Sequence, residues 1–262
     1  MSNTIMPVTV QLIRNATVVL KLGETQLLID PLFSPKQALD PIPWTNEVRN
    51  PTVDLPLTAE ALHTLVENTD YLLLTHLHPD HWDEAAQQQI PKQKPIICQD
   101  ADAETLRSQG FHNLITSAST KLNNGITVTK VPAQHGHGEW AAKMAPVTGY
   151  ILDTGNSKIY ITGDTVWYDG VRDTLEHYQP ELIILNAGGA RFQVGEAITM
   201  TEEEVLQVVQ HARPNAAVIA VHLEAINHCY VTRAALNSVL QAHQVSNCYV
   251  PADGEEMIFS LS

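Results

Sequence analysis

The segment Thr75-His76-Leu77-His78-Pro79-Asp80-His81-Trp82-Asp83 places three imidazoles and two carboxylates within eight residues, directly after the apolar run Tyr71-Leu72-Leu73-Leu74. Imidazole nitrogens and carboxylate oxygens are the donors that borderline and hard divalent cations prefer. In extended backbone, residues two apart project the same way, so His76 and His78 can reach one ion together. Pro79 stiffens the turn that follows, and Asp80 and His81 then project toward a second ion. As ordinary surface residues, Asp80 or Asp83 would instead cap the next helix. Capping suits Asp83, ahead of Glu84-Ala85-Ala86-Gln87, but leaves three histidines beside an aspartate at a strand end without a purpose.

Such a cluster needs elements that bring further donors to it. The first half reads as strands: Val8–Ile13 and Ala16–Leu22 alternate around Arg14-Asn15, and Gln26–Ile29 follows Gly23-Glu24 as a hairpin partner. Residues 32–56 hold five prolines and Trp44 with no periodicity, the mark of a functional loop such as a lid or cleft wall. Helices are expected at Ala59–Val66, Asp83–Gln89, Ala103–Ser108, Val171–His177, Thr201–Ala212 and Thr232–His243. Thr201-Glu202-Glu203-Glu204 forms a capping-box start. Strands are expected at Tyr71–Leu74, Lys94–Gln99, Asn113–Ser117, Ile126–Val131, Gly149–Leu152, Lys158–Thr162, Leu182–Leu185, Ala217–Val221 and Cys248–Val250. Hairpins followed by β-α repeats in both halves suit two packed sheets with helices outside. No repeat or linker divides the chain, so residues 1–262 are expected to form one domain.

Composition narrows the function. The formal net charge of −14, with 15 Lys and Arg in no basic run, argues against nucleic acid. No stretch has the apolar length of a membrane span, and the N-terminus lacks a signal-like apolar region. Three scattered cysteines, Cys98, Cys229 and Cys248, favour a reducing compartment and argue against a zinc ribbon; a cytoplasmic protein is expected. A small-molecule substrate fits this profile, and nothing in it excludes a homo-oligomer.

Three more candidates stand at strand ends: His135 after Val131, Asp164 after the strand ending at Thr162, and His222 after Val221. Alone, each histidine could be a satisfied core residue and Asp164 a turn residue. The pattern H-x-H-x-D-H at 76–81, however, resembles the signature of the metallo-β-lactamase superfamily. That resemblance implies an α/β fold, an αββα four-layer sandwich of two mixed sheets flanked by helices, and a site for two divalent ions. It assigns His76, His78 and His135 to one ion, Asp80, His81 and His222 to the other, and Asp164 as the bridge. His137 competes with His135, which lies nearer the strand end. Asn15-Ala16-Thr17-Val18, Leu28-Ile29-Asp30-Pro31, Thr162-Gly163-Asp164-Thr165 and Val221-His222 are most similar to the branch holding ascorbate-6-phosphate lactonase and N-acylphosphatidylethanolamine phospholipase D. The proline-rich segment and Gly188-Gly189-Ala190-Arg191 depart from that branch.

The resemblance implies a hydrolase acting on a small lactone, ester or phosphodiester. Two ions about 3.5–4 Å apart bring a bridging water toward neutral pKa and polarise the scissile group. Zinc is the first expectation, with manganese or iron as alternatives. Asp80 is the candidate catalytic residue, orienting the nucleophile or returning a proton. Trp44, Trp140, Trp167, Tyr168, Arg191 and His228 are candidate pocket residues. His63, His112, His177, His211 and His243 are expected on the surface. An iron-dependent oxidoreductase and a non-catalytic metal-binding regulator are the competing readings.

Overall fold

Apolar residues alternating from the start of the chain fold as an antiparallel meander: β1 (Met6–Arg14), β2 (Thr17–Leu22) and β3 (Thr25–Ile29). The structure is a computed structural model that describes residues 6–123 and 125–261. After β3 the chain runs through the proline-rich segment and α1 (Ala59–Glu67) into β4 (Tyr71–Leu73), which pairs parallel to β3. Then come α2 (Glu84–Gln89), β5 (Ile96–Ile97), α3 (Ala103–Ser108) and β6 (Leu114–Ile115). The second sheet is built from β7 (Ser119–Lys121), β8 (Thr127–Pro132), β9 (Thr148–Asp153) and β10 (Lys158–Ile161), with α4 (Trp140–Lys143) between β8 and β9. It continues through α5 (Asp169–Tyr178), β11 (Leu182–Asn186), α6 (Glu202–His211), β12 (Ala217–Val221), α7 (Arg233–Ala242) and β13 (Cys248–Tyr249). Finally β14 (Glu256–Leu261) returns to pair with β1.

The sheets run β14-β1-β2-β3-β4-β5-β6 and β13-β12-β11-β10-β9-β8-β7. Each is antiparallel on one side and parallel on the other. Between them lies a core drawn from both, including Val10, Leu20, Leu27, Tyr150, Ile159, Ile184 and Ile219. The outer face of the first sheet packs Leu28 and Leu72 against Leu62, Ala86 and Leu106 of α1, α2 and α3. The outer face of the second packs Ile183 and Val218 against Leu175, Val205 and Leu236 of α5, α6 and α7. Strands buried on both faces read as continuous apolar runs, as in Leu182–Leu185. The result is the expected αββα sandwich.

Sequence patterning missed β7, α4 and β14, and placed β5, β6 and β13 with longer bounds than they have. Asp83 does cap α2, accepting from Ala86 N at 2.8 Å, and it also accepts from Phe33 N and Ser34 N. Buried Arg14 meets the same segment from the other side, donating to the carbonyls of Leu32, Ser34 and Val53. Together they fix where the proline-rich segment leaves the sheet.

Further along, that segment is tied to residues 225–227. Asn227 Nδ2 donates to Thr45 Oγ1 and Asn46 O, its Oδ1 accepts from Asn50 Nδ2, and its own N donates to Asn50 Oδ1. Thr52 N donates to Ala225 O. The expected loop is therefore an ordered wall. Among the described residues no helix is long and apolar enough to cross a membrane, and the three cysteines are free.

Candidate metal centre

Four strands end along one edge of the sandwich. There β4 delivers His76, β8 delivers His135, β10 delivers Asp164 and β12 delivers His222. The turn that carries Asp164 into the cluster passes close to Thr75 at Gly163. Gly163 has φ +64°, and a Cβ there would come within 3.0 Å of Thr75 Cβ and 2.9 Å of Val147 Cγ1. The left-handed conformation and the close approach both call for glycine.

The structure brings all seven sequence-predicted residues together. Donor atoms of His76, His78, His135 and Asp164 lie within 4.8 Å of one another, as do those of Asp80, His81 and His222. The two groups adjoin. Asp164 Oδ2 is 3.8 Å from His76 Nε2, 3.5 Å from His135 Nε2 and 3.3 Å from His81 Nε2, while Oδ1 is 3.6 Å from His222 Nε2. His76 Nε2 approaches His78 Nδ1 to 2.9 Å, and His81 Nε2 approaches His222 Nε2 to 3.1 Å. Converging ring nitrogens, with a buried His135 Nε2 that has no hydrogen-bond partner among the described residues, form a donor set suited to cations. Deeply buried polar atoms otherwise find partners.

The second ring nitrogens and free carboxylate oxygens are held from behind. Asp30, at φ +43°, accepts from Thr75 N and Thr75 Oγ1 through its two oxygens and holds His81 Nδ1 at 2.9 Å. His135 Nδ1 donates to Ile198 O at 2.8 Å, and Asn186 Nδ2 donates to Asp164 Oδ1 at 2.6 Å. Asn15 Nδ2 donates to Asp80 O, and Asn15 O accepts from His222 N. His222 Nδ1 meets Cys229 Sγ at 3.4 Å, a contact that needs Gly188, since a Cβ there would lie 2.4 Å from His222 O and 2.8 Å from Cys229 Sγ. Such partners fix ring orientation and donor strength. Sequence reasoning assigned none of them to the site; only Asp30 had a visible signal, a carboxylate where a strand stops before Pro31.

Burial and mutual charge set the protonation pattern. Burial holds His76 and His78 below the ordinary histidine range and His135 down at about 4. Burial also opposes charge on His81, but Asp164, Asp80 and Asp30 outweigh it and raise His81 to about 10. His222 is raised well above its ordinary value by Asp164, again against burial. Asp80 and Asp164 are correspondingly held well below the carboxylate range, chiefly by His81, despite their burial. Two acidic side chains thus keep protons on two imidazoles, a charge arrangement that a cation can replace.

A cleft of about 290 Å³ opens over the first group, lined by Ile42, Pro43, Trp44, Met144, Phe192 and Ile198 together with His78, Pro79, His135, Asp164 and His228. Trp44 lines it from φ +60°, a rare conformation for a bulky residue, held by Gln193 N donating to Trp44 O. Trp140 stacks on Phe192 behind the wall, with centroids 4.6 Å apart. Trp167, Tyr168 and Arg191 do not line the cleft: Trp167 packs on His211, Tyr168 on the core beneath α5, and the Arg191 guanidinium lies over Tyr230. His137 turns away and pairs with Glu204 at 2.7 Å. The five histidines expected on the surface are exposed.

Residues 25–223 match the family model described as a beta-lactamase superfamily domain. The chain is 35% identical over 254 residues to UPF0173 protein YddR of Bacillus subtilis, covering 94% of this chain and 98% of that one. Among solved structures, isothiocyanate hydrolase from Delia radicum gut bacteria superposes with a TM-score of 0.90 at 38% identity, covering 96% of this chain and 99% of its own. A possible metal-dependent hydrolase from Veillonella parvula also superposes with a TM-score of 0.90, at 33% identity and with 95% and 98% coverage. CmlA, a diiron β-hydroxylase from Streptomyces venezuelae, shares the fold at 14% identity and a TM-score of 0.64. By sequence and architecture alike, this chain belongs to the metallo-β-lactamase superfamily and, within it, to the UPF0173 metal-dependent hydrolases.

Proposed function

We propose that the chain, as a single domain, is a dinuclear hydrolase of small, neutral, apolar electrophiles, with organic isothiocyanates as the leading substrates. The observation that carries this reading is the cleft: apolar and aromatic side chains face the His and Asp cluster, and among the described residues no Lys or Arg lines it. Binding sites for phosphorylated molecules use Arg, Lys or backbone nests, so a phosphodiester or a phosphorylated lactone is disfavoured. A neutral heterocumulene with a hydrocarbon substituent needs none of these. The 38% identity to an isothiocyanate hydrolase over nearly the whole chain supports the same class. A neutral lactone or ester is the second reading, kept by the resemblance to the lactonase branch.

His76, His78, His135 and Asp164 would hold one ion, and Asp80, His81 and His222 the other, with Asp164 between them. Bound divalent ions, zinc first and manganese or iron as alternatives, supply Lewis acidity and a water that is deprotonated at neutral pH. The protein contributes position: Asp30 fixes the His81 ring, Asn186 fixes Asp164, and Ile42, Trp44 and Phe192 exclude bulk water from the reacting carbon. The net reaction is R–N=C=S + H2O giving R–NH2 and COS, with no change of oxidation state.

The test is turnover of the zinc-loaded protein on benzyl isothiocyanate, a γ-lactone, an aryl ester and an aryl phosphodiester. Amine release from the isothiocyanate at the highest kcat/KM is expected; fastest turnover of the phosphodiester would overturn the reading. Iron at full occupancy without hydrolysis of any of the four would favour redox chemistry. Trp44→Ala is expected to raise KM for benzyl isothiocyanate about tenfold with kcat little changed, since burying one large apolar contact is worth roughly 1.5–3 kcal/mol.

Metal uptake carries its own pH signature. His81, raised to about 10 in the metal-free protein, must lose its proton to offer a lone pair, so zinc affinity should climb as pH rises toward 9, by about tenfold per pH unit for each proton displaced. The sign for the metal-free fold is opposite. A histidine with a raised folded pKa contributes stability that is complete below about 6.5 and lost as pH rises through about 10. Zinc titrations and thermal melts of the chelator-treated protein between pH 6 and 9 check both directions.

A further inference from the structure

Two features of the sequence have no part in the proposed ligand set: the second histidine of His135-Gly136-His137-Gly138, and the capping box at Thr201–Glu204. In the fold they meet. His137 Nε2 donates to Glu204 Oε1 at 2.7 Å, and the same oxygen accepts from Trp167 N at 3.1 Å. Glu204 Oε2 accepts from Thr201 N at 2.9 Å, which closes the capping box. A capping box occupies one carboxylate oxygen; the other is given to two loops. One carboxylate thus joins the start of α6 to the residue two positions after His135 and to the residue three positions after Asp164. The Glu204 side chain is only 14% exposed, so these bonds are largely sheltered from water.

The loops have reason to be held. His137 stands between Gly136 at φ +103° and Gly138 at φ +53°, and glycine reaches such angles readily but fixes none of them. The loops touch each other through Val166 N, which donates to Gln134 O at 2.9 Å, and Gln134 N, which donates to Thr165 Oγ1 at 3.0 Å. Glu204 adds a charged acceptor bonded to both loops at once, and bonds to a carboxylate are stronger than neutral ones. Ile198 O, six positions earlier, accepts from His135 Nδ1 at 2.8 Å, so residues 198–204 hold the His135 loop at two points. We propose that Glu204 is a positioning residue for the first ion, fixing His135 and Asp164, which arrive on separate strands, relative to each other. This rests on the reading above that those two residues share an ion. Glu204 does not line the cleft, so it acts through the geometry of the ligands.

The experiment titrates zinc into the metal-free, full-length protein against a chromophoric chelator. Glu204→Ala is expected to weaken one of the two zinc equivalents by about 10–100-fold, the range for partners that orient ligands, and to leave the other unchanged. His137→Ala should weaken the same equivalent, and the double variant should bind little worse than Glu204→Ala, because the two side chains act through one bond. Glu204→Gln, which keeps the length of the side chain and an acceptor for Trp167 N, should recover a large part. Thr201→Ala removes the other half of the capping box and serves as the control: its melting point should fall while its zinc affinity stays that of the wild type. Amide exchange in the metal-free protein reads the tie without any ion. Val166 N, whose bond joins the two loops, should exchange faster in Glu204→Ala and no faster in Thr201→Ala. Equal loss of zinc in Thr201→Ala and Glu204→Ala overturns the proposal, as does unchanged Val166 exchange or zinc affinity within about threefold of wild type in Glu204→Ala, below the range given for an orienting partner. Should the wild type bind fewer than two zinc ions, the dinuclear reading fails on its own, and Val166 exchange still decides for or against Glu204.

Discussion

Replacing Asp164 by Ala is expected to leave at most one zinc ion per chain and to lower kcat/KM by about 10³-fold or more. Among the described residues, its carboxylate alone stands within 4 Å of ring nitrogens from both donor groups: His76, His135 and His81 through Oδ2, and His222 through Oδ1. Removing it therefore strips both groups of the charge they share, where removal of a residue that merely orients a ligand costs about 10–100-fold. Two-ion chemistry contributes several kcal/mol to a hydrolysis, and each 1.36 kcal/mol is about tenfold in rate, which gives the figure of about 10³. Elemental analysis and kinetics on the same preparation decide the matter. Two ions per chain with activity within tenfold of wild type would remove Asp164 from the bridging position.

Asp80→Asn is the second large effect, expected at about 10²–10⁴-fold in kcat, and its metal content separates two roles. The sequence reading gave Asp80 a part in orienting the nucleophile or returning a proton. In the fold its Oδ2 lies 3.2 Å from His222 Nε2 and 3.6 Å from His81 Nε2, away from the cleft lining. That position favours a ligand role, so the variant is expected to keep one ion and lose the other. Retention of both ions with the same loss of kcat would return the proton role to Asp80. The neutral amide also removes one of the carboxylates that raise His81, so the remaining His81 proton should be released at lower pH, a shift that NMR titration of the metal-free variant reads directly.

Much of the architecture was legible because it is written in short periods. Leu182–Leu185 and Ala217–Val221 are apolar runs of strand length, and Thr201 through Glu204 spells a capping box that forms as expected. The convergence of the seven site residues was legible too, since four of them fall between His76 and His81 and the others close strands. What escaped was of two kinds. The limits of β5, β6 and β13 were drawn too wide, because strands of two residues are too short for alternation to mark where they end. β14 does alternate, with every second residue less exposed from Met257 on, but only its distant partner β1 makes it a strand. The supporting contacts are nonlocal as well. Asp30 reaches His81 across 51 positions, and Asn227 reaches the proline-rich segment across 177 to 185. No window of sequence contains both partners. The choice of His135 over His137 came from strand geometry, while the contact that keeps His137 out of the donor cluster, its pairing with Glu204, lies 67 positions away.

The way the short motif is divided has a consequence for how the enzyme is made. His76 and His78 stand with His135, and Asp80 and His81 with His222, although the four motif residues are near neighbours in the chain. A nascent polypeptide that ends before β8 thus offers each proposed ion two donors at most, too few for firm retention. Both donor sets become complete only after β12 has emerged and the two sheets have docked. On this assignment, tight metal capture works as a checkpoint on tertiary completion: a chain stalled or misassembled at any earlier stage releases its cations, and only the finished sandwich is armed for hydrolysis.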